Sequence, residues 1–224
     1  MRIGVTMRVD QTKEYYEPRD AVSHDWIRLL QTWDYTPQLI PNLTSNVHTV
    51  MEKLDGIILT GGNNLCPDLS CIPADIVGDT ASDRDDLEKR LLNVAMDLRV
   101  PVLGICRGLQ LINCNLGGCL IRADKKLHVN SNHQVEISGG NWKSLLGKNI
   151  NVNSFHEYGI SEDSVGKDII PFANSQDGLV EGFVHNTFPF LGIMWHPERP
   201  CPCEDTNKIL FTRLFTEGSF WSKE

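Results

Sequence analysis

Apolar and polar residues follow one another along this chain in two rhythms. Short unbroken apolar runs at residues 2–6, 56–60 and 102–105 predict buried strands. Between them the spacing lengthens to that of a helix. Over residues 20–33, Val22, Trp26, Leu29, Leu30 and Trp33 share one helical face. Further on, Leu87, Leu91, Val94, Ala95 and Leu98 recur at helical intervals. Ser82 and Asp85 give that helix a start like a capping box, with Asp in place of Glu or Gln, and Pro101 stops it. Strand, helix, strand, helix, strand in this order predicts a parallel sheet covered on both faces. From about His133 onward strands follow one another, the last over residues 190–195. A final helix over 206–217 buries Leu210, Phe211, Leu214 and Phe215. No repeat, low-complexity tract or linker interrupts the pattern. The expectation is one α/β domain over residues 1–224, with a mostly parallel central sheet and helices on both faces.

Composition narrows the partners. With 21 basic and 29 acidic residues among 224, the net charge is −8, which disfavours nucleic acid and anionic membrane as partners. No run approaches the roughly 20 apolar residues of a membrane-spanning helix, and no signal-peptide pattern precedes the first strand. Seven cysteines cannot all pair within one chain. The expectation is therefore a cytoplasmic protein whose cysteines are free thiols. Cys66 with Cys71, and Cys201-Pro202-Cys203, are the rival zinc ligands. The second pair is tighter than the usual knuckle spacing and both lie in Pro-rich loops, so they predict loop thiols and no metal. Cys114 and Cys119 are expected as core and strand residues.

The chemistry concentrates at Gly104-Ile105-Cys106-Arg107-Gly108, between a strand and a helix expected over residues 109–116. This is a G-x-nucleophile-x-G elbow with cysteine as the nucleophile. A side chain on so tight a turn needs small neighbours where the chain passes close by. The turn aims sulfur out of the carboxyl end of the sheet, where α/β folds bind ligands, and sets it at a helix N-terminus that favours thiolate. A thiolate catalyst needs a base and a group to orient that base. Trp195-His196-Pro197-Glu198 follows the last strand, placing His196 toward the elbow and Glu198 two residues on to hold its other ring nitrogen. Acyl transfer also needs oxyanion donors. Thr60-Gly61-Gly62-Asn63 ends another strand and offers backbone N–H groups with no side chain in the way, with the N–H of Arg107 as the second donor. Gly61 and Asn63 are expected to face substrate beside it.

Residues 101–110, with His196-Pro197-Glu198 downstream and Thr60-Gly61-Gly62 upstream, resemble a class I glutamine amidotransferase domain over nearly the whole chain. Within that superfamily the chain is most similar to the standalone γ-glutamyl hydrolases of the peptidase C26 type. The residues that carry this are Arg84-Asp85 leading into Glu88, Gly117-Gly118, and Val152-Asn153-Ser154-Phe155-His156. The resemblance implies a flavodoxin-like fold and a triad of Cys106 as nucleophile, His196 as base then acid, and Glu198 as orienter. It also implies Gly62 and Arg107 as oxyanion donors through their backbone N–H groups, and Gln110, Asn153, Ser154 and Phe155 as contacts to the glutamyl α-amino and α-carboxyl groups. The activity it implies is hydrolysis of a γ-glutamyl-amine conjugate (an amino acid, a polyamine or a nucleotide amidate) through a thioester. Two alternatives stand beside it: a glutaminase subunit feeding ammonia to a separate synthase, and a silent binding protein of the same fold. The resemblance implies no cofactor and a small-molecule partner, with a homodimer left open.

Two further segments bear on the site. Residues 7–25 are expected as a solvated loop and helix start near the nucleophile, where Arg8, Tyr15, Tyr16 and Arg19 could grip an anionic or aromatic leaving group. His128 and His133 are expected in a solvated loop.

Overall fold

The computed structural model describes residues 1–74 and 78–217; the expected domain extends past these to residue 224. Nine strands form one sheet in the order Thr36–Ile40, Arg2–Thr6, Gly56–Leu59, Val102–Ile105, Phe190–Ile193, Val180–His185, Ile169–Ser175, Val129–Ile137, Asn149–Phe155. The first five pair in parallel. The last four extend the sheet by antiparallel pairing, as the succession of strands after His133 predicts. The central strands Gly56–Leu59, Val102–Ile105 and Phe190–Ile193 are buried at every position, which explains their unbroken apolar runs.

Helices cover both faces. A Cβ built on Gly56 would meet the Phe215 ring at 2.5 Å, whereas the Leu59 side chain lies against Gly108 of the elbow helix. Positions 56 and 59 of a strand point to opposite sides, so the last helix and the elbow helix flank the sheet from opposite faces. On the Phe215 side, Trp33 meets Phe211 edge-on at 4.7 Å, tying the helix His24–Thr32 to the helix Glu204–Phe211 and its π-helical continuation Thr212–Thr216. Leu210, Phe211, Leu214 and Phe215 are all buried, as expected. No helix among the described residues is long and apolar enough to cross a membrane.

Five expectations are corrected. The first helix begins at His24, not at residue 20. Ser23 caps it by accepting from the Asp25 N–H, and Pro18–Ala21 instead pairs antiparallel with Arg8–Gln11 in a hairpin. The loop expected over residues 7–25 is largely this hairpin, because the polar stretch beginning at Pro18 has no apolar face to bury as a helix. The helix Ser82–Leu98 has Ala81 at its N-cap without a side-chain bond. Asp85 does not close a capping box; its carboxylate accepts from the Cys66 N–H and pairs with Arg107. Its buried face carries Arg84, Asp85 and Glu88 beside Leu87, Leu91, Leu92 and Ala95, while Leu98 is exposed. Four cysteines are paired rather than free, Cys71 with Cys119 and Cys201 with Cys203. The first pair spans 48 residues because the Leu120 N–H donates to the Ser70 carbonyl and lays the two segments side by side. Cys119 therefore lies outside any strand.

The elbow depends on two glycines. A Cβ on Gly104 would lie 2.6 Å from the Gly108 carbonyl carbon, and one on Gly108 would lie 2.1 Å from the Leu59 carbonyl oxygen. The second clash is with backbone inside the sheet, which has no flexible end to swing away. Gly108→Ala is therefore expected to destabilise by about 1–3 kcal/mol or more, read as a lowered midpoint in a thermal melt.

Candidate active site

The strand Val102–Ile105 runs directly into the helix Arg107–Asn115, and Cys106 is the single residue between them. Its φ is 50° and its ψ −101°, a conformation L-residues rarely adopt. The Cys106 N–H donates to the Ile193 carbonyl at 2.9 Å, and its carbonyl receives the Gln110 N–H at 3.0 Å, so sheet and helix both hold the turn. Ile105 pairs in parallel with Ile193. Cys106 and His196 thus leave the carboxyl ends of neighbouring strands and meet there.

The expected chain of contacts is present. Cys106 and His196 are neighbours close enough for each to act on the other's proton equilibrium, and His196 Nδ1 lies 2.7 Å from Glu198 Oε1. Cys106, His196 and Glu198 are all nearly closed to solvent. Burial opposes the thiolate, yet the hydrogen bond and charge of His196, helped by His156 and Arg199, hold the Cys106 thiol below its ordinary value. Burial likewise opposes the imidazolium, but the Glu198 carboxylate and the Cys106 sulfur raise His196 to about 9. The other two free thiols go the opposite way. Burial, with Asp85 nearby, pushes Cys66 up to about 11 and Cys114 to about 12. Cys106 alone among the free cysteines is poised as a nucleophile.

The backbone around Gly62 and Arg107 is held by a buried ion network. Arg107 pairs through one guanidinium nitrogen with Asp85 and through another with Glu88, and Arg84 Nε lies 3.0 Å from Glu88. Arg84 also donates to the Thr60 carbonyl at 2.6 Å and to the Gly61 carbonyl at 3.1 Å. In a trans peptide the N–H points opposite the C=O. With the Gly61 carbonyl held by Arg84, the Gly62 N–H faces away from the network. Gly62 has φ +119°, and a Cβ there would lie 2.9 Å from both Arg8 Cβ and Arg84 Nη1. A Cβ on Gly61 would lie 2.7 Å from His196 Cε1, so that glycine sits against the histidine ring. Arg107 opens the elbow helix, where an N–H has no intrahelical acceptor.

Several residues expected at substrate are occupied elsewhere. Asn153 Oδ1 accepts the His196 N–H at 2.8 Å, and its Nδ2 donates to the carbonyls of His196 at 2.9 Å and Pro200 at 3.1 Å. It fixes the backbone of the histidine loop. Ser154 donates to the His128 carbonyl at 2.8 Å. Asn63 bonds both backbone groups of Val9, anchoring the hairpin. Gln110 Nε2 donates to the Tyr158 carbonyl at 2.8 Å. Phe155 does reach the site, edge-on to His196 at 5.7 Å, with the Arg199 guanidinium 4.2 Å above its ring. Arg8 lies beside Gly62 and pairs with Asp10. Arg19 bonds Glu17 and the Tyr15 hydroxyl, and Tyr16 stands free at 88% exposure. The four therefore do not converge into one grip. His128 is buried, not in a solvated loop, and His156, His133 and Glu181 surround it. His156 and Arg199 follow directly on named positions of the motifs, but their charge on Cys106 is a matter of space, which no spacing along the chain reveals.

The peptidase C26 family model matches residues 2–198. The chain belongs to that family. γ-Glutamyl-CDP-amidate hydrolase of Campylobacter jejuni is 29% identical over 210 residues, covering 89% of this chain and 90% of that one. γ-Glutamyl-γ-aminobutyrate hydrolase of Escherichia coli K12 is 34% identical over 193 residues, covering 77% and 75%. Among solved structures, a glutamine amidotransferase of Thermotoga maritima superposes with a TM-score of 0.62 at 15% identity, covering 96% of this chain and 83% of that one. This last likeness is one of fold. Membership of peptidase C26 and relatives named as amide hydrolases agree with the resemblance carried by the elbow and the His196-Pro197-Glu198 turn.

Proposed function

We propose that this peptidase C26 protein hydrolyses the γ-glutamyl amide bond of a small γ-glutamyl-amine conjugate, with Cys106, His196 and Glu198 as its catalytic triad. The observation that carries this reading is the thiol–imidazole–carboxylate chain at the carboxyl ends of two adjacent parallel strands. The Cys106 thiolate attacks the γ-carbonyl, forming a carbon–sulfur bond while the carbonyl electrons move onto oxygen. The N–H groups of Gly62 and Arg107 receive that oxyanion. As the intermediate collapses the carbon–nitrogen bond breaks, and protonated His196 gives its proton to the leaving amine. Neutral His196 then takes a proton from water, whose oxygen attacks the thioester. Glutamate leaves and the thiolate–imidazolium pair is restored. Glu198 keeps the ring in one tautomer and supports its positive charge. Asn153 holds the histidine loop at the distance the proton transfers need.

The experiment is glutamate release by the isolated chain from a panel of γ-glutamyl amides, including γ-glutamyl-γ-aminobutyrate, a γ-glutamyl nucleotide amidate and free glutamine. Release from substituted amides with glutamine poor supports the proposal. Release from glutamine alone, or from nothing until a synthase is added, overturns it in favour of an amidotransferase subunit.

The pH profile follows from the pair. The working form is thiolate with imidazolium, present above the Cys106 value and below that of His196. Activity is thus expected to fall toward acid as sulfur takes up a proton, and toward alkali near pH 9 as His196 loses one. Glu198→Gln removes a charge that raises His196, so the alkaline limb should move to lower pH. An unmoved limb in that variant would contradict the assignment.

A further inference from the structure

We propose that His128 Nδ1, His156 Nε2 and Glu181 Oε1 form a binding site for one first-row divalent cation, with Zn²⁺ the ion best suited to the donors. His128 ends the short helix Lys125–His128, His156 follows the strand Asn149–Phe155, and Glu181 lies in the strand Val180–His185. All three are buried. Their facing atoms lie 3.2 Å apart for the two histidines, 3.4 Å for His156 and Glu181, and 3.6 Å for His128 and Glu181. Ligands about 2.0–2.1 Å from a tetrahedral zinc are separated from one another by about 3.4 Å. The triangle already has that size.

The outer atoms of the rings fix what the inner ones present. His128 Nε2 faces the Asp177 carboxylate at 3.0 Å, and His156 Nδ1 faces the Tyr158 carbonyl at 3.0 Å. Both partners accept hydrogen bonds and cannot donate, so with a metal in place each ring is neutral with its proton outward, and the ion supplies the positive charge that a protonated His156 otherwise places near Cys106. Two imidazole lone pairs then converge on a carboxylate. Both oxygens of that carboxylate are buried and lack a hydrogen-bond partner. Three electron-rich atoms in van der Waals reach, closed to solvent, repel unless a cation stands between them. Carboxylate and carbonyl partners on the outer nitrogens are the arrangement that orients histidines toward a metal. His133 repeats it: Nδ1 faces the Leu127 carbonyl at 3.2 Å, and Nε2 stands 3.5 Å from the same Glu181 oxygen. Two histidines and a glutamate leave a fourth position for water or an anion, and imidazole with carboxylate suits Zn²⁺. The competing occupant is a single extra proton shared between the rings. The inference departs from the absence of metal expected from the sequence, which considered cysteine ligands only.

The test uses the whole chain, freed of any tag, stripped with chelator, loaded with Zn²⁺ and passed through metal-free buffer. About one zinc per chain should remain, measured by elemental analysis. Loading with Co²⁺ should give the visible bands of a four-coordinate site without a thiolate charge-transfer band. Glu181→Gln and His128→Gln should each lower retained metal to background, and Asp177→Asn should weaken binding by about 10–100-fold. Cys106→Ala and the Cys201→Ser, Cys203→Ser double variant should keep the metal. Retention below about a tenth of an equivalent, persistence in Glu181→Gln, or loss in the cysteine variants overturns the proposal. Should a ligand variant not fold by circular dichroism, the zinc content and cobalt spectrum of the unaltered chain still decide. None of these readings depends on hydrolytic activity, so the site and the proposed reaction stand or fall separately.

Discussion

Replacing Cys106 with alanine is expected to abolish glutamate release, a loss on the order of 10⁶-fold, while leaving the fold in place. The thiolate is the only group in the proposed reaction that bonds to the γ-carbonyl. His196 and the oxyanion donors have no attacking atom to assist once it is gone. Serine should not rescue the loss, because its hydroxyl ionises far less readily than a thiol in the same partnership. Stability should behave differently. Alanine removes one sulfur from a site already shaped around a positive φ, and the strain of that φ, of order 1–3 kcal/mol, remains. Glycine relieves it. Cys106→Gly should therefore melt higher than Cys106→Ala, with both inactive. Thermal melts and a glutamate assay on the two variants check the pair, and activity in either one would remove Cys106 from its role.

The largest effect on stability is expected from Arg107→Met. Arg84, Asp85, Glu88 and Arg107 are two positive and two negative groups, each almost wholly inaccessible to solvent. Burial alone would raise Glu88, but Arg107 and then Arg84 outweigh it and hold the carboxylate well below its usual range. Taking away Arg107 leaves Asp85 and Glu88 facing a single guanidinium. Breaking a buried pair from one side costs about 3–5 kcal/mol. In a chain of this size each kcal/mol moves the melting midpoint by about 2–4 °C, so the expected drop is about 6–20 °C. Adding Asp85→Asn to Arg107→Met restores charge balance and should recover part of the loss. Methionine keeps the backbone N–H of residue 107, so any fall in turnover reports displaced geometry and not a missing donor. A melt within 1–2 °C of the parent, by the same conversion, would show that the network carries little of the fold.

What could be read from the chain was what is local. The elbow declared itself because Gly104, Cys106 and Gly108 fall within five residues, although the contact that demands glycine at 108 is with Leu59 of another strand. His196 and Glu198 are two residues apart, so their contact was legible too. Asn153 was not, because its three partners lie 43 and 47 residues further along. The resemblance assigns it to substrate, whereas its side chain bonds the backbone of the histidine loop. Arg84, Asp85 and Glu88 stood out as a motif, but their purpose became visible only when Arg107, from the neighbouring helix, completed the charge balance. The hairpin was missed because Val22 continued a helical spacing that Ser23 actually interrupts. The pairing of Cys71 with Cys119 is not legible from compartment, since proximity across 48 residues leaves no trace in spacing.

The parallel pairing of Val102–Ile105 with Phe190–Ile193 has a consequence during synthesis. Cys106 emerges from the ribosome about ninety residues before His196 does, a delay of several seconds at ordinary elongation rates. Throughout that interval the sulfur lacks His196, and its N–H lacks the Ile193 carbonyl that receives it in the finished fold. Reactivity is thus conferred almost last, when the fifth parallel strand slots in beside the fourth. Under the proposed reaction, a chain that ends before residue 190 is expected to release no glutamate.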